Sequence, residues 1–164
     1  MVHCSLYWEG LEPIKRTLLA DLVNKKQVFI VFLYHPSKGY WAYECGQTKH
    51  LKTTLNQLLS EINSGQKPLY NSAGQLVYSP SKSELSVYRF IEQRPDIQAD
   101  ITQTIQMMRV AYAYIRPNIK LVPILQNLKQ KLHLIDLANA SASSPKCDLT
   151  HLGVLEVINL LEKG

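Results

Sequence analysis

The sequence predicts an α+β protein with a small, mostly antiparallel sheet in its first half and helices in its second half. Two apolar segments separated by a Pro- and Gly-containing turn predict a hairpin over residues 27–45, and a shorter hairpin is predicted over residues 67–78. After Pro80 the apolar residues recur at helical spacing. A chain of 164 residues is most simply one domain, here with a sheet-containing half at 1–80 and a helical half at 81–164.

In the first half, helices are expected to flank the two hairpins. Residues 9–26 carry apolar residues at helical spacing, and residues 49–64 form a second amphipathic segment that ends before Gly65. Between them, residues 27–34 are continuously apolar and rich in β-branched side chains, which is typical of a strand buried on both faces. The first predicted helix buries Leu11, Ile14, Leu18, Leu22 and Val23.

In the second strand of the first hairpin, simple alternation predicts which side chains are buried. Glu44 should face solvent together with its alternate neighbours, which puts the other set on the buried side: Trp41, Tyr43 and Cys45. The turn formers Pro36 and Gly39 need no functional explanation.

In the second half, four helices are expected. A capping box at residues 81–84 starts the first, and the second runs from residue 95 until Pro117 ends it. A third covers residues 124–135, and the last covers residues 148–161 after a polar loop. The long second helix has an apolar face of Ile97, Ile101, Ile105, Met108, Tyr112 and Ile115.

Bulk composition limits the classes of protein. The longest apolar run, residues 28–34, is far shorter than the roughly 20 residues of a membrane span, and the N-terminus lacks the pattern of a signal peptide. Three widely spaced cysteines do not form a disulfide framework. We therefore expect a soluble, cytoplasmic protein without a membrane span. The net charge of +5 is mild and indicates no specific partner by itself.

No catalytic or cofactor motif is present in the sequence. Walker A, G-x-G-x-x-G and G-x-S-x-G patterns are absent, so no cofactor is expected and a non-catalytic protein is favoured. A zinc site from Cys45, His50, Cys147 and His151 is disfavoured, since no C-x2-C spacing occurs and the pairs lie about a hundred residues apart. An active site assembled from distant loops remains open.

The distribution of basic residues gives the candidate binding residues. Between Asp100 and Asp136 the chain has no acidic residue, and the predicted helices there carry Arg109, Arg116, Lys129 and His133. On a helix, Arg109, Tyr112 and Arg116 share one stripe. The turn of the first hairpin adds a second candidate patch of His35, Lys38 and Tyr40, followed along the chain by Lys49, His50 and Lys52.

Two functions fit these residues. The first is a protein-binding adaptor, chaperone or assembly subunit of a larger complex, because amide-rich, weakly charged faces are inexpensive to desolvate; self-association is one form of it. The alternative is a nucleic-acid-binding accessory protein that uses the basic helical face. Salt distinguishes them, since phosphate contacts weaken steeply as salt rises.

Overall fold

This computed structural model describes residues 2–80, 97–116, 125–126, 128 and 154–157. The described helices are α1 (Ile14–Leu19), α2 (Leu51–Asn63) and α3 (Ile97–Met107). The described strands are β1 (Val2–Ser5), β2 (Glu9–Pro13), β3 (Gln27–His35), β4 (Gly39–Thr48), β5 (Leu69–Tyr70), β6 (Leu76–Tyr78), β7 (Met108–Tyr114) and β8 (Val154–Val157). The mixed α+β class is therefore confirmed over these residues.

The main sheet has four antiparallel strands in the order β2-β7-β3-β4. Strand β7 comes from the second half of the chain and lies between β2 and β3. The expectation that residues 1–80 supply the whole sheet is thus wrong. Two smaller antiparallel pairs, β5 with β6 and β1 with β8, complete the described strands.

The long helix predicted over residues 95–117 is wrong in its second half. Helix α3 ends at Met107, and β7 begins at the next residue. The segment from Val110 to Ile115 is apolar at almost every position, so its pattern fits a helix and a strand equally well. Pairing with β2 on one side and β3 on the other satisfies the backbone hydrogen-bonding groups of this segment and stabilises it as a strand.

Each face of the main sheet has its own hydrophobic cluster. Side chains of the three described helices cover one, which we call the helix-covered face; its buried residues include Phe29, Val31, Leu33, Trp41, Leu55, Ile62, Ile101 and Val110. The opposite face buries Leu6, Val28, Ile30, Phe32, Ala42, Cys45, Ala111, Ala113, Ile115 and Leu128. Burial on both faces explains why β3 is apolar without alternation.

The first predicted helix is also wrong over most of its length. Residues 9–13 form the edge strand β2, only six residues form α1, and residues 20–26 form neither helix nor strand. Val23, assigned to the buried stripe, is instead 51% exposed. The apolar residues that predicted one helical stripe pack on different faces of the sheet. Leu11 packs on the opposite face and Ile14 on the helix-covered face.

Three local predictions are confirmed: the hairpin of β3 and β4, the helix α2 and the hairpin of β5 and β6. The last predicted helix is wrong at residues 154–157, where β8 pairs with β1 from Val2↔Val157 to Ser5↔Val154. The predicted helices at 81–92 and 124–135 lie almost entirely outside the described residues.

A bulge in β4 changes which side chains are buried together. Val31 pairs with Glu44 but Phe32 pairs with Ala42, so Tyr43 is the extra residue. Beyond it the alternation is reversed, and Cys45 joins the opposite face whereas Trp41 and Tyr43 pack on the helix-covered face. The prediction that Trp41, Tyr43 and Cys45 share one face is therefore wrong for Cys45.

Candidate functional site

The turn of the first hairpin contacts the turn of the second hairpin. Lys38 Nζ donates a hydrogen bond to the Gly74 carbonyl oxygen at 2.8 Å, and His35 Nε2 lies 3.1 Å from the Ser72 carbonyl oxygen. His35 Nδ1 accepts a hydrogen bond from the Ser37 backbone N–H at 3.2 Å. A backbone N–H can only donate, so the ring proton is on Nε2, which donates to Ser72. His35 and Lys38 thus have structural contacts that join two hairpins.

Tyr40 and Arg109, predicted in two separate patches, lie in one cluster around Tyr34. The rings of Tyr34 and Tyr40 are 4.6 Å apart between centroids, and the Arg109 guanidinium carbon lies 5.8 Å from the centroid of Tyr34. Strand register explains this, because Tyr34 pairs with Tyr40, and Phe32, two residues before Tyr34, pairs with Arg109. We call Tyr34, Tyr40 and Arg109 the tyrosine–arginine cluster.

Two backbone carbonyl groups just before Arg109 in the chain hold its side chain, in addition to the ring of Tyr34. Arg109 Nη1 donates to the carbonyl oxygens of Gln106 at 2.8 Å and Met108 at 3.0 Å. A guanidinium has five N–H donors, so the group keeps donors beyond these two bonds. All three side chains of the cluster are half-buried. Such a group presents a fixed cation beside two half-buried aromatic rings.

Arg109, Tyr112 and Arg116 do not share a stripe. On the strand β7 Arg109 pairs with Phe32 of the opposite face, whereas Tyr112 packs on the helix-covered face. Arg116 lies beyond the other end of β7, about 20 Å along an extended chain from Arg109. Lys129 and His133 lie outside the described residues.

Arg116 lies instead near basic residues from other parts of the chain. Gln27, the first residue of β3, pairs with Thr48 at the end of β4 and with Tyr114 at the end of β7. Residues just beyond these positions therefore meet at one end of the sheet. We call this surface the basic end; its basic residues are Lys25, Lys26, Lys49, His50, Lys52 and Arg116. Lys26 and Lys52 are half-buried and the others are exposed. Strand β4, about 30 Å long, separates it from the hairpin turn that holds His35 and Lys38.

A cavity of about 380 Å³ opens at the basic end, between the loop before β3 and the start of α2. It is lined by Asp21, Leu22, Asn24, His50, Leu51, Lys52 and Thr53. His50 is the N-cap residue of α2, yet no side chain makes a cap hydrogen bond there and the first turn has no acidic residue. The positive end of this helix dipole therefore adds to the charge of the lysines.

Exposed apolar side chains occur at the end of α1 and in the loop that leads to the basic end. Leu19 is 84% exposed and Val23 is 51% exposed, while Tyr114 is partly exposed. The Tyr114 hydroxyl lies 3.4 Å from the backbone nitrogen of Val23, which places the loop over the end of β7. An aliphatic surface with a basic rim is thus formed by residues 19–26 and the strand ends.

Perturbed titrating groups occur inside the helix-covered face. Burial, followed by the charges of Tyr70, Glu44 and Glu61, raises the pKa of Tyr43 well above 10.0, and its hydroxyl donates to the Pro68 carbonyl oxygen at 2.7 Å. Burial works to lower the pKa of Lys67, but ion pairs with Glu44 at 3.1 Å and Glu61 at 3.5 Å outweigh it and raise the pKa. These contacts tie β4 to α2 and the β5 segment.

A similar arrangement occurs at the edge strand β2. The Tyr112 hydroxyl donates to a Glu9 carboxylate oxygen at 3.1 Å, and burial together with this carboxylate raises the pKa of Tyr112 to about 12. At neutral pH these tyrosines are protonated hydrogen-bond donors that connect strands.

Within the described ranges, no three His, Cys, Asp or Glu residues are grouped so that they could hold a metal ion. Cys147 and His151 lie outside those ranges. No described helix has the length and hydropathy to cross a membrane.

No protein-family model, curated protein or solved structure matches this chain. Function must therefore be inferred from the chemistry of the described residues.

Sequence reasoning missed Tyr34 and the grouping at the basic end. Tyr34 had a visible signal, because hairpin pairing across the turn at residues 36–38 sets it opposite Tyr40. The basic end had none, since it needs β7 to lie beside β3, and its residues come from three separate segments.

Proposed function

We propose that the protein is a non-catalytic protein-binding subunit, an adaptor or assembly component, and that it holds its partner through the tyrosine–arginine cluster. The observation that carries this proposal is the half-buried Arg109 guanidinium 5.8 Å from the centre of the Tyr34 ring, with Tyr40 packed on the same ring. Tyrosine and arginine, with tryptophan, are enriched among the residues that dominate binding energy at protein interfaces.

Pre-ordering of the cluster supports the proposal. The two bonds from Arg109 Nη1 to backbone carbonyls and the ring contact restrict the side chain before any partner arrives. A partner then binds without ordering a long flexible side chain, which otherwise costs about 0.5–1.5 kcal/mol. The aromatic rings also give a large contact area with few rotatable bonds.

Capture of partners from the native cell lysate tests the function. The tagged full-length protein is incubated with lysate with and without nuclease, and bound material is analysed by mass spectrometry and for nucleic acid. We expect a stoichiometric protein partner that survives nuclease and 0.5 M salt. Arg109→Ala and Tyr34→Ala should each reduce its recovery by about fivefold or more.

Two variants serve as controls. Arg16→Ala removes an exposed arginine from α1, and Tyr7→Ala removes a tyrosine that is 83% exposed, so neither alters the cluster. Both should recover the partner normally. Thermal unfolding of all four variants checks that losses do not come from unfolding.

Other outcomes would assign the protein differently. Recovery of nucleic acid, with proteins lost on nuclease treatment, would support the alternative nucleic-acid-binding function. Capture that Arg16→Ala reduces as strongly as Arg109→Ala would refute the cluster as the binding surface.

A further inference from the structure

We infer that the basic end is a second interaction surface, and that it binds an acidic peptide segment with aliphatic side chains from a partner protein. The inference takes the class of partner from the proposed function, but its location is independent of the tyrosine–arginine cluster.

Charge is the first reason. Six basic residues lie at this end, and Asp21 is the acidic residue that lines the cavity beside them. Among the described residues, the ion pairs of Lys67 with Glu44 and Glu61 do not involve Lys49, Lys52 or Arg116. Positive charge gathered at one end attracts an anionic partner and rejects a basic one.

The exposed aliphatic residues determine the class of anion. Tyr114 offers one ring on which a base can stack, but the more exposed Leu19 and Val23 offer none and bury well against Leu, Ile or Val side chains of a peptide. An oligonucleotide would satisfy the lysines but leave these side chains in water. A peptide that mixes carboxylates and aliphatic residues satisfies both.

The cavity gives such a peptide a place for one carboxylate. His50 and Lys52 line its α2 side, where the first turn of α2 adds backbone N–H groups that have no intrahelical acceptor. Asp21 lines the loop side, so the carboxylate binds against α2. The volume of about 380 Å³ is large enough for an Asp or Glu side chain with its water. Leu19, Val23 and Tyr114 then contact the neighbouring aliphatic residues.

Selection from a random dodecapeptide library displayed on phage, against the folded full-length protein, tests the inference. We expect enriched peptides to combine Asp or Glu with Leu, Ile or Val. The most enriched peptide is then synthesised with a fluorescent label, and its affinity is measured by anisotropy at 150 mM salt. Lys49→Glu/Lys52→Glu should weaken binding at least about tenfold, and Leu19→Ser/Val23→Ser at least about threefold.

The matched control is Lys38→Glu, compared with Lys49→Glu alone, because it makes the same change in net charge at an exposed position about 30 Å away, at the other end of β4. It should weaken binding less than about threefold, because the effect of a charge falls off over roughly 8 Å at this salt. Arg109→Ala should bind the peptide normally. All these positions are exposed or half-buried, and circular dichroism checks the fold of each variant.

Several results would overturn the inference. These are a library that yields no peptide or only non-acidic ones, and equal losses for Lys38→Glu and Lys49→Glu. A single-stranded 12-mer oligonucleotide could also displace the peptide and bind the Leu19→Ser/Val23→Ser variant with unchanged affinity. That result would assign the surface to nucleic acid. If peptide binding fails while lysate capture still depends on Arg109, the proposed function stands and this inference does not.

Discussion

At the scale of single residues, the helix-covered face contains side chains whose pKa is higher in the folded protein than in the unfolded chain. Tyr43 is the clearest, because its hydroxyl is buried, donates to Pro68 and lies near Glu44. Its pKa is raised in the folded protein, so the folded state keeps the proton after the unfolded chain has lost it. Stability from this group is fully present below pH 10 and is lost as the pH rises further.

We therefore predict that the free energy of unfolding of the unmodified protein falls above pH 10. The free energy of unfolding of the Tyr43→Phe variant should fall less steeply over the same pH range. At neutral pH the variant should lose about 1 kcal/mol, because the Pro68 carbonyl loses its donor. Urea unfolding at pH 7, 9, 10 and 11 measures both effects, with Tyr7→Phe as the exposed control. Tyr70 and Lys67 also have raised pKa values, so the free energy of unfolding of the variant should still decrease with pH, but less than that of the unmodified protein. An unchanged slope would contradict the role of Tyr43.

Gln27 gives a second prediction at this scale. Its side chain is fully buried, and neither amide atom has a hydrogen-bond partner. Burial of an unpaired amide costs about 1–3 kcal/mol, so Gln27→Leu should raise the free energy of unfolding by that amount. Gln47→Leu, at an exposed position on the neighbouring strand, should change it by less than about 0.5 kcal/mol. Chemical denaturation measures both, and a destabilised Gln27→Leu would mean that the amide is hydrogen-bonded in solution.

At the scale of elements, the two hairpins stabilise each other through their turns. Gly74 has a φ of +74°, and a Cβ at this position would lie 3.3 Å from the His35 ring. The turn also uses the Asn71 side chain, which accepts hydrogen bonds from the backbone of Ala73 and Gln75 at 3.0 Å. The close approach lets His35 and Lys38 reach carbonyl oxygens of the second turn.

We predict that Gly74→Ala destabilises the protein by about 1–2 kcal/mol, the cost of a left-handed backbone with a side chain. Ser72→Ala in the same turn keeps the carbonyl that His35 contacts and should change stability by less than about 0.5 kcal/mol. Thermal or urea unfolding compares the two. Equal stability of both variants would contradict the left-handed conformation of Gly74.

Local elements were predictable from the sequence, and long-range pairings were not. The β3–β4 hairpin and α2 carry their own turn, capping and periodicity signals within about 20 residues. Residues 108–114 fit two periods, and only pairing with strands about 80 and 100 residues earlier decides between them. In the candidate sites, too, local contacts could be predicted from the sequence and contacts that depend on long-range pairing could not. Tyr34 beside Tyr40 is a hairpin contact, whereas Arg109 beside Tyr34 and Arg116 near Lys49 depend on β7.

At the scale of the whole molecule, β7 connects the two halves of the chain and fixes both candidate surfaces. It pairs on both sides, its first residues place Arg109 beside Tyr34, and its end places Arg116 at the basic end. Strand β3 likewise pairs with β4 and β7 from Gln27 to Leu33. These two central strands should therefore open only when the whole sheet opens.

Hydrogen exchange tests this arrangement. We expect the amides of β3 and β7 to exchange slowest, near the global free energy of unfolding, because both their edges are paired and their faces are buried. The six-residue helix α1 and the short β5–β6 pair should exchange at least about tenfold faster. Peptide-resolved mass spectrometry can compare segments 27–35 and 108–114 with segment 14–26 in one experiment. Exchange of 108–114 as fast as α1 would contradict a central β7, and with it the placement of Arg109 and Arg116 on separate surfaces.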